Sequence, residues 1–213
     1  MFNVIHKIRY VLMNKLNIKA KPKYPPNSEL VVSDDFRTLR HWASTYPNVI
    51  QNSRTNGATL TIKAVNTKGF ACPLLISHEK LLYGGANATI TTNQHTKTVN
   101  IFTLRTKEYE WGFKIVGETV VILLPAGYYK RKLYHSNLPH KYSIYFDANK
   151  NKIFWRINDI TVCETPDNLN VNKHVQLSLG TIGNKFASKE LPQSMNVKNV
   201  EIFVHNEQST PIK

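Results

Sequence analysis

The sequence predicts an all-β protein, an antiparallel sandwich or barrel, preceded by a short helical arm. From Glu29 onward the helical period of apolar residues disappears, and short apolar or alternating runs rich in β-branched and aromatic residues take its place. About a dozen such runs, separated by turn signals, are typical of this architecture. The runs expected to form strands are Leu30–Ser33, Thr59–Val65, Leu74–Ser77, Asn87–Thr92, Thr98–Leu104, Trp111–Val116, Thr119–Leu124, Tyr142–Phe146, Lys152–Ile157, Val175–Leu179 and Val200–His205.

Residues 1–28 form a separate segment that we predict to be a basic amphipathic helix. They carry six Lys or Arg residues and no Asp or Glu, with apolar residues at helical spacing from Val4 to Leu16. The proline-containing stretch Lys21–Asn27 ends the helix. We therefore divide the chain into an arm, 1–28, and a β-sandwich domain, 29–213. Two interpretations stay open: the arm packs on the domain, or it docks onto a partner protein, a membrane surface or nucleic acid.

Composition indicates a globular protein with excess positive charge. The 213 residues are 41% hydrophobic and 20% charged, and 28 Lys+Arg against 14 Asp+Glu give a net charge of +14. This balance favours a polyanionic partner, such as an acidic glycan, nucleic acid or an anionic surface. Two cysteines, Cys72 and Cys163, are too few for a disulfide framework or a Cys-rich zinc site. They form one bridge or stay free thiols, and the second is favoured.

No apolar run approaches the roughly 20 residues of a membrane-spanning helix. The N-terminus resembles a signal peptide superficially. However, Lys7 and Arg9 interrupt its apolar stretch, and no A-x-A-like cleavage site follows. We therefore recognise no cleavable signal peptide, and the location of the protein stays unspecified.

Several segments between residues 30 and 205 carry motifs that occur in the same order in a known family. The opening Leu30–Phe36, followed by Trp42, reads "DDF…W", and Leu75–Gly84 reads "S…YG". The other matching segments are Gly57–Ile62, Leu138–Phe146, Ile153–Asn158, Val175–Gly180 and Met195–Phe203. Together they resemble family 16 glycoside hydrolases and their concanavalin A-like relatives. The resemblance implies a jelly roll of two curved antiparallel sheets, with a concave face that holds sugar chains.

The resemblance also implies three carboxylates on one strand, spaced E-x-D-x-E or E-x-D-x-x-E, so that all three enter the cleft. The matching stretch here begins at Glu108, which falls at the nucleophile position, and Glu110 falls at the helper position. The acid/base position is Gly112 or Phe113, and neither side chain donates a proton. Glu118, the nearest later acid, is expected in a turn.

A missing general acid removes help that is typically worth 10²–10⁴-fold in rate. We therefore assign no catalytic residue with assurance. Glu108 and Glu110 remain degenerate candidates, and the alternative is that both are ordinary polar residues on a strand face.

A cluster of aromatic and basic residues provides a candidate glycan-binding site. Its members are Tyr128, Tyr129, Lys130, Arg131, Tyr134 and His135. Sugar rings stack their C–H faces on aromatic rings, and cations attract uronic or sulfated sugars. RNA or DNA uses the same residue types and is the competing ligand. Tyrosines that pack inward and a solvated basic turn are the structural alternatives. The family resemblance favours a glycan.

These observations predict a non-catalytic carbohydrate-binding jelly-roll protein for a polymeric glycan, with acidic glycans among the candidates. One alternative is a structural or host-adhesion subunit of a phage or virus-like particle, suggested by the basic arm and the absence of a recognised signal peptide. A second is an active retaining glycoside hydrolase whose acid is displaced. We predict no cofactor and no metal site. The expected partners are a glycan and, through residues 1–28, a protein or assembly.

Overall fold

The computed structural model describes residues 28–45, 50–53, 57–62, 70–78, 84–92, 98–124, 127–134, 137–147, 150–166, 175–184 and 192–205. Every regular element within these ranges is a β-strand. The all-β prediction is therefore confirmed for this part of the chain. The helix predicted for residues 1–28 lies outside the described residues, except for Ser28, which begins the first strand.

The strands are antiparallel throughout and form two sheets. Their bounds are β1 Ser28–Asp34, β2 Trp42–Ser44, β3 Ile50–Ser53, β4 Gly57–Ile62, β5 Phe70–Ala71, β6 Leu74–Ser77, β7 Gly85–Thr92, β8 Thr98–Arg105, β9 Glu110–Val116, β10 Thr119–Leu124, β11 Gly127–Tyr134, β12 His140–Asp147, β13 Lys152–Ile157, β14 Ile160–Pro166, β15 Gln176–Asn184 and β16 Gln193–His205. Sheet 1 has the order β14-β13-β12-β7-β16-β4-β3, with β1 paired to β16. Sheet 2 has the order β11-β10-β9-β8-β15-β6-β2, with β5 paired to β15.

Each predicted run overlaps a strand, and β2, β3, β5, β11 and β14 were not among those runs. Strands β2 and β5 span only three and two residues, too few to show a period. Strand β14 is an edge strand of sheet 1 whose residues are all exposed or half-buried, so it lacks the apolar face that marks a strand in sequence.

Aromatic side chains fill the space between the two sheets. The indole of Trp111 meets the ring of Phe146 edge-on at 5.7 Å, and Phe113 meets Tyr142 edge-on at 5.1 Å. Both contacts join β9 of sheet 2 to β12 of sheet 1. Trp155 is also fully buried. Because neighbouring strand residues point to opposite sides, the even-numbered residues of β9 face away from the core.

The "DDF…W" segment is a buried structural corner. The Asp34 carboxylate accepts hydrogen bonds from the backbone N–H of Phe36 and from Nε1–H of Trp42, both at 2.7 Å. The two rings stack with their centroids 5.4 Å apart. Phe36 adopts a φ of 62°, a left-handed conformation held in place by these contacts. Trp42 is a core residue, since it is 4% exposed.

His140 is fully buried at the start of β12, and its Nδ1 lies 3.0 Å from the side-chain nitrogen of Asn158. Burial lowers the pKa of His140 from 6.5 to about 4, and the hydrogen bond to Asn158 opposes this shift only partly. The ring is therefore neutral at pH 7 and has a structural role. Cys72 and Cys163 are both free thiols, and both are half-buried rather than fully buried.

Candidate functional site

Strand register arranges the residues on the outer face of sheet 2, the face that points away from sheet 1, into three rows. The first row is Gln176, Arg105 and Glu110; the second is Ser178, Thr103, Gly112 and Leu123; the third is Gly180, Ile101, Lys114 and Val121. The rows cross the central strands β15, β8, β9 and β10. Strand β9, which carries the candidate residue Glu110, therefore lies near the middle of this face.

The second row forms a buried floor, and one charged side chain of β9 projects from each of the two rows beside it. Thr103 and Ser178 are 0% exposed, and Gly112 is also buried. By contrast, the side chains of Glu110 and Lys114 are 38% and 33% exposed. The Thr103 hydroxyl donates to Glu110 Oε1 at 3.0 Å, and Lys114 Nζ lies 3.5 Å from Glu110 Oε2. On β9, the accessible charges are thus an ion pair and not a pair of carboxylates.

Glu108 does not lie on the strand where the sequence placed it. Residues 106–109 form a turn before β9, in which the Thr106 hydroxyl accepts hydrogen bonds from the backbone N–H groups of Glu108 and Tyr109 at 3.1 and 3.0 Å. Glu108 is exposed there. Strand β9 begins two residues after Glu108, so the residues that share its outer face are Glu110, Gly112 and Lys114. The assignment of Glu108 and Glu110 as catalytic candidates stays a prediction.

Gly112 occupies a conformation that other residues rarely adopt, with φ at +147°. A Cβ built at this position would lie 2.3 Å from the carbonyl oxygen of Phe102 and 2.7 Å from the Cα of Thr103. Both atoms belong to the backbone of β8 and cannot rotate away. Position 112 is therefore closed to a carboxylate side chain unless β8 and β9 move apart.

Glu118 cannot supply the missing acid from its observed position. It lies in the Gly117–Glu118 turn between β9 and β10, at the opposite end of β9 from Glu110. Among the described residues on the outer face of sheet 2, Glu110 is the one carboxylate, and Arg105 and Lys114 are the cations. The described part of this face has a net positive charge.

Comparison with solved structures supports the fold assignment, although no family model matches the sequence and no curated protein is significantly similar to it. The Crh5 transglycosylase in complex with NAG superposes with a TM-score of 0.69 at 17% identity, covering 86% of each chain. SCLam, a non-specific endo-β-1,3(4)-glucanase from family GH16, gives 0.66 at 12% identity, covering 86% of this chain and 93% of SCLam. The κ-carrageenase from Pseudoalteromonas carrageenovora, in complex with an oligotetrasaccharide of κ-carrageenan, gives 0.60 at 16% identity, with 88% and 98% coverage.

The chain has a concanavalin A-like jelly-roll fold. Two antiparallel sheets, the order of their strands and the extent of the superpositions agree on this point. The fold predicted from the ordered sequence motifs is therefore confirmed. At these low sequence identities, the similarity to glycan-active enzymes establishes the fold alone. Activity depends on the residues of the site.

The predicted aromatic and basic cluster lies on β11, the strand at the edge of sheet 2 of the jelly roll. In the backbone register, Tyr128 pairs with Leu123, which in turn pairs with Gly112. At about 4.8 Å per strand, β11 is roughly 10 Å from β9. The side chains of 127–134, and His135 altogether, lie outside the described residues. Their role in glycan binding stays a prediction.

Lys114, Arg105 and Thr103 are site residues that the sequence interpretation missed. The sequence contained a signal for Lys114, because it lies four residues after Glu110 and every second residue of a strand points to the same face. Recognising it required the start of β9, which the turn at Thr106 determines. Thr103 and Arg105 come from the neighbouring strand, so only the pairing of β8 with β9 places them beside Glu110.

The outer face of sheet 1 carries a second aromatic group, but its rings contact each other. Tyr145 and Phe154 stack with centroids 5.0 Å apart and an angle of 13° between their planes. Lys150 Nζ lies 5.5 Å from the centre of the Phe154 ring. Burial raises the pKa of Tyr145, and the positive charge of Arg156 partly offsets this. Because Phe154 is only 7% exposed, this group offers little ring surface to a ligand.

Two findings concern other classes of site. Within the described ranges, no three His, Cys, Asp or Glu side chains are grouped so that they could hold a metal ion. The described part of the chain also contains no helix that is long and apolar enough to cross a membrane.

Proposed function

We propose that this protein binds a polymeric glycan on the outer face of sheet 2 and does not cleave it. The observation that carries the proposal is the set of residues on the outer face of β9, which are Glu110, Gly112 and Lys114. The family resemblance expects three carboxylates on this strand face, and the chain has one. The jelly-roll architecture and the central position of β9 support a sugar-binding face. The residue types at positions 110, 112 and 114 argue against glycosidase chemistry.

Glycoside hydrolysis needs two carboxyl groups at defined separations. Retaining enzymes place them about 5–5.5 Å apart, and inverting enzymes about 6.5–9.5 Å apart. Here Glu110 faces the ammonium group of Lys114 at 3.5 Å. The outer face of β9 thus has one carboxyl group, with an ammonium group beside it where glycoside hydrolysis requires a second carboxyl group. Glu110 therefore lacks a described partner that could protonate the leaving oxygen.

The solved structures of similar fold support a glycan as the ligand. One was determined with NAG and another with an oligotetrasaccharide of κ-carrageenan. In this chain the corresponding architecture presents Arg105, Glu110 and Lys114, which offer hydrogen-bonding and charged groups to sugar hydroxyls and substituents.

The test is to measure binding and cleavage on the same ligands. We would titrate the protein with oligosaccharides of mixed-linkage β-glucan and of κ-carrageenan by calorimetry. Long incubations of the same mixtures would then be analysed by mass spectrometry, with an active endo-glucanase as a control for substrate quality. We expect binding with no change in oligosaccharide length, including no lengthened products from glycosyl transfer. Failure to bind any glycan in a wider panel would overturn the proposal. So would new products that disappear in Glu110→Gln.

A further inference from the structure

We infer that Lys114 is an anion-binding residue for a sulfated or carboxylated sugar, and that Glu110 competes with the ligand for it. The inference rests on the proposed function, since it specifies which glycans the outer face of sheet 2 selects. It assigns a binding role to a residue on the strand face that, by the family resemblance, would carry carboxylates. The net positive charge of the described residues on this face attracts an anionic sugar.

The first support is the geometry of the ion pair. Lys114 Nζ and Glu110 Oε2 are 3.5 Å apart, longer than the 2.7–2.9 Å or so of a strong N⁺–H···O⁻ hydrogen bond. About a third of each side chain is exposed, so the pair is screened by solvent and costs little to separate. A sugar sulfate or carboxylate that approaches Lys114 more closely would therefore replace Glu110 as its partner.

The second support is that Glu110 is held while Lys114 is not equally restrained. Glu110 accepts a hydrogen bond from the Thr103 hydroxyl through its other oxygen, Oε1, at 3.0 Å. Thr103 is fully buried, which fixes this donor on the floor of the site. Glu110 thus keeps a hydrogen bond when the lysine turns to a ligand. The Lys114 side chain is long and has several rotatable bonds, so its ammonium group can move towards an anion.

The third support is the charge of the surroundings. Arg105 pairs with Glu110 in the strand register and is exposed, and no ion pair joins it to any residue that the structure describes. Burial raises the pKa of the Cys72 thiol, and the positive charge of Arg105 partly opposes this rise. The described part of this face carries two cations and one carboxylate. Its net charge of one positive unit can be neutralised by one anionic sugar substituent.

The experiment compares matched ligands and matched variants. The ligands are a κ-carrageenan oligosaccharide, its chemically desulfated form, and an oligogalacturonate as the carboxylated alternative. The variants are Lys114→Met, Glu110→Gln and, as a control with the same loss of charge, Lys198→Met on the outer face of sheet 1. Dissociation constants are measured by calorimetry at low and physiological salt, after thermal melting has shown that each variant is folded.

We expect Lys114→Met to weaken binding of an anionic oligosaccharide about tenfold, with little effect on the desulfated form and none from Lys198→Met. Glu110→Gln should strengthen anionic binding severalfold, because it removes the competing charge. The affinity should also fall as salt rises. Dependence on Lys114 with only one of the two anionic ligands supports the inference and identifies the substituent.

The outcomes separate this inference from the proposed function. If the wild type binds sulfated and desulfated forms equally, and Lys114→Met changes neither affinity, the protein binds glycans but the anion site is wrong. Unchanged anionic affinity in Glu110→Gln would also contradict the competition. If no oligosaccharide binds at all, the proposed function itself fails.

Discussion

Lys114 Nζ lies 3.5 Å from Glu110 Oε2, although the two residues are four positions apart on the same strand. In an extended strand this separation is about 13 Å between Cα atoms, so both side chains must lean towards each other across Gly112. A Cβ at position 112 would meet the backbone of β8 and, at 2.9 Å, the buried Cδ1 of Ile144 on sheet 1. The outer face of β9 therefore carries one ion pair across a position that is closed to a side chain.

Gly112→Ala should destabilise the protein. Its φ of +147° strains any residue with a Cβ, and that atom would lie 2.3 Å from the carbonyl oxygen of Phe102. Backbone strain of this kind costs about 1–3 kcal/mol, and each kcal/mol lowers the melting temperature by roughly 2–4 °C in a domain of this size.

The matched control is Gly180→Ala on the same sheet face. Its nearest contact is the flexible Leu74 Cδ1 at 2.7 Å, followed by Pro73 O at 3.0 Å, so it should cost less than Gly112→Ala. Equal melting temperatures for the two variants would contradict the argument that position 112 is closed to side chains.

Asp34→Asn should lower stability by about 1–3 kcal/mol, because an amide group cannot accept both N–H donors that the carboxylate now satisfies. Asp35→Asn is the neighbouring control. Asp35 pairs with Arg37 at 2.7 Å, but more than half of its side chain is exposed, so the change should stay within about 0.5 kcal/mol. Urea unfolding measures both. Similar midpoints for the two variants would mean that the "DDF…W" corner contributes little.

His140 should make the protein less stable as pH falls from about 6.5 to about 4. Its pKa is about 4 in the folded state, below its ordinary value of 6.5. Within this window the unfolded chain binds a proton and the folded protein does not, so protonation favours unfolding. At 1.36 kcal/mol per pKa unit, the loss at this site is roughly 3 kcal/mol.

The measurement is the free energy of unfolding from pH 7 to pH 4.5 in wild type, His140→Gln and His78→Gln. His78 is exposed and serves as the control. The slope with pH should become shallower only in His140→Gln. An unchanged slope in that variant would show that other groups cause the acid sensitivity.

Much of the fold could be predicted from the sequence because its signals are local. Alternating runs such as Thr119–Leu124 identify strands, and ordered motifs such as Leu30–Phe36 with Trp42 indicate the jelly roll. Strands without a buried face gave no such signal. The edge strand β14, with no residue fully buried, was missed for this reason.

The candidate site was predicted less well because it depends on where strands begin and which strands pair. Glu108 and Glu110 have the spacing of one strand face, but the Thr106 hydroxyl holds Glu108 in a turn. The bond from Thr103 to Glu110 joins residues of two strands. A particle subunit that docks through residues 1–28 stays a prediction, since residues 1–27 lie outside the described residues.

The aromatic and basic cluster on β11 gives a further prediction. Replacing Tyr128 and Lys130 together with Ala should weaken glycan binding roughly tenfold, which corresponds to about 1.4 kcal/mol. Lys198→Ala, on the other sheet, is the control and should leave affinity unchanged. If the double variant is folded and binds like the wild type, the sequence prediction for this cluster is wrong, while the row on β9 keeps its own test.

The central claim is that a glycan lies on the outer face of sheet 2 and leaves it intact. The most direct measurement follows the backbone amide signals by NMR while an oligosaccharide that binds in calorimetry is added. We expect the largest shifts at Thr103, Gly112, Lys114 and Ser178, with small shifts at Thr89 and Tyr145 on sheet 1, and an unchanged ligand mass in the recovered sample. Shifts confined to sheet 1, or a shortened oligosaccharide, would contradict the claim.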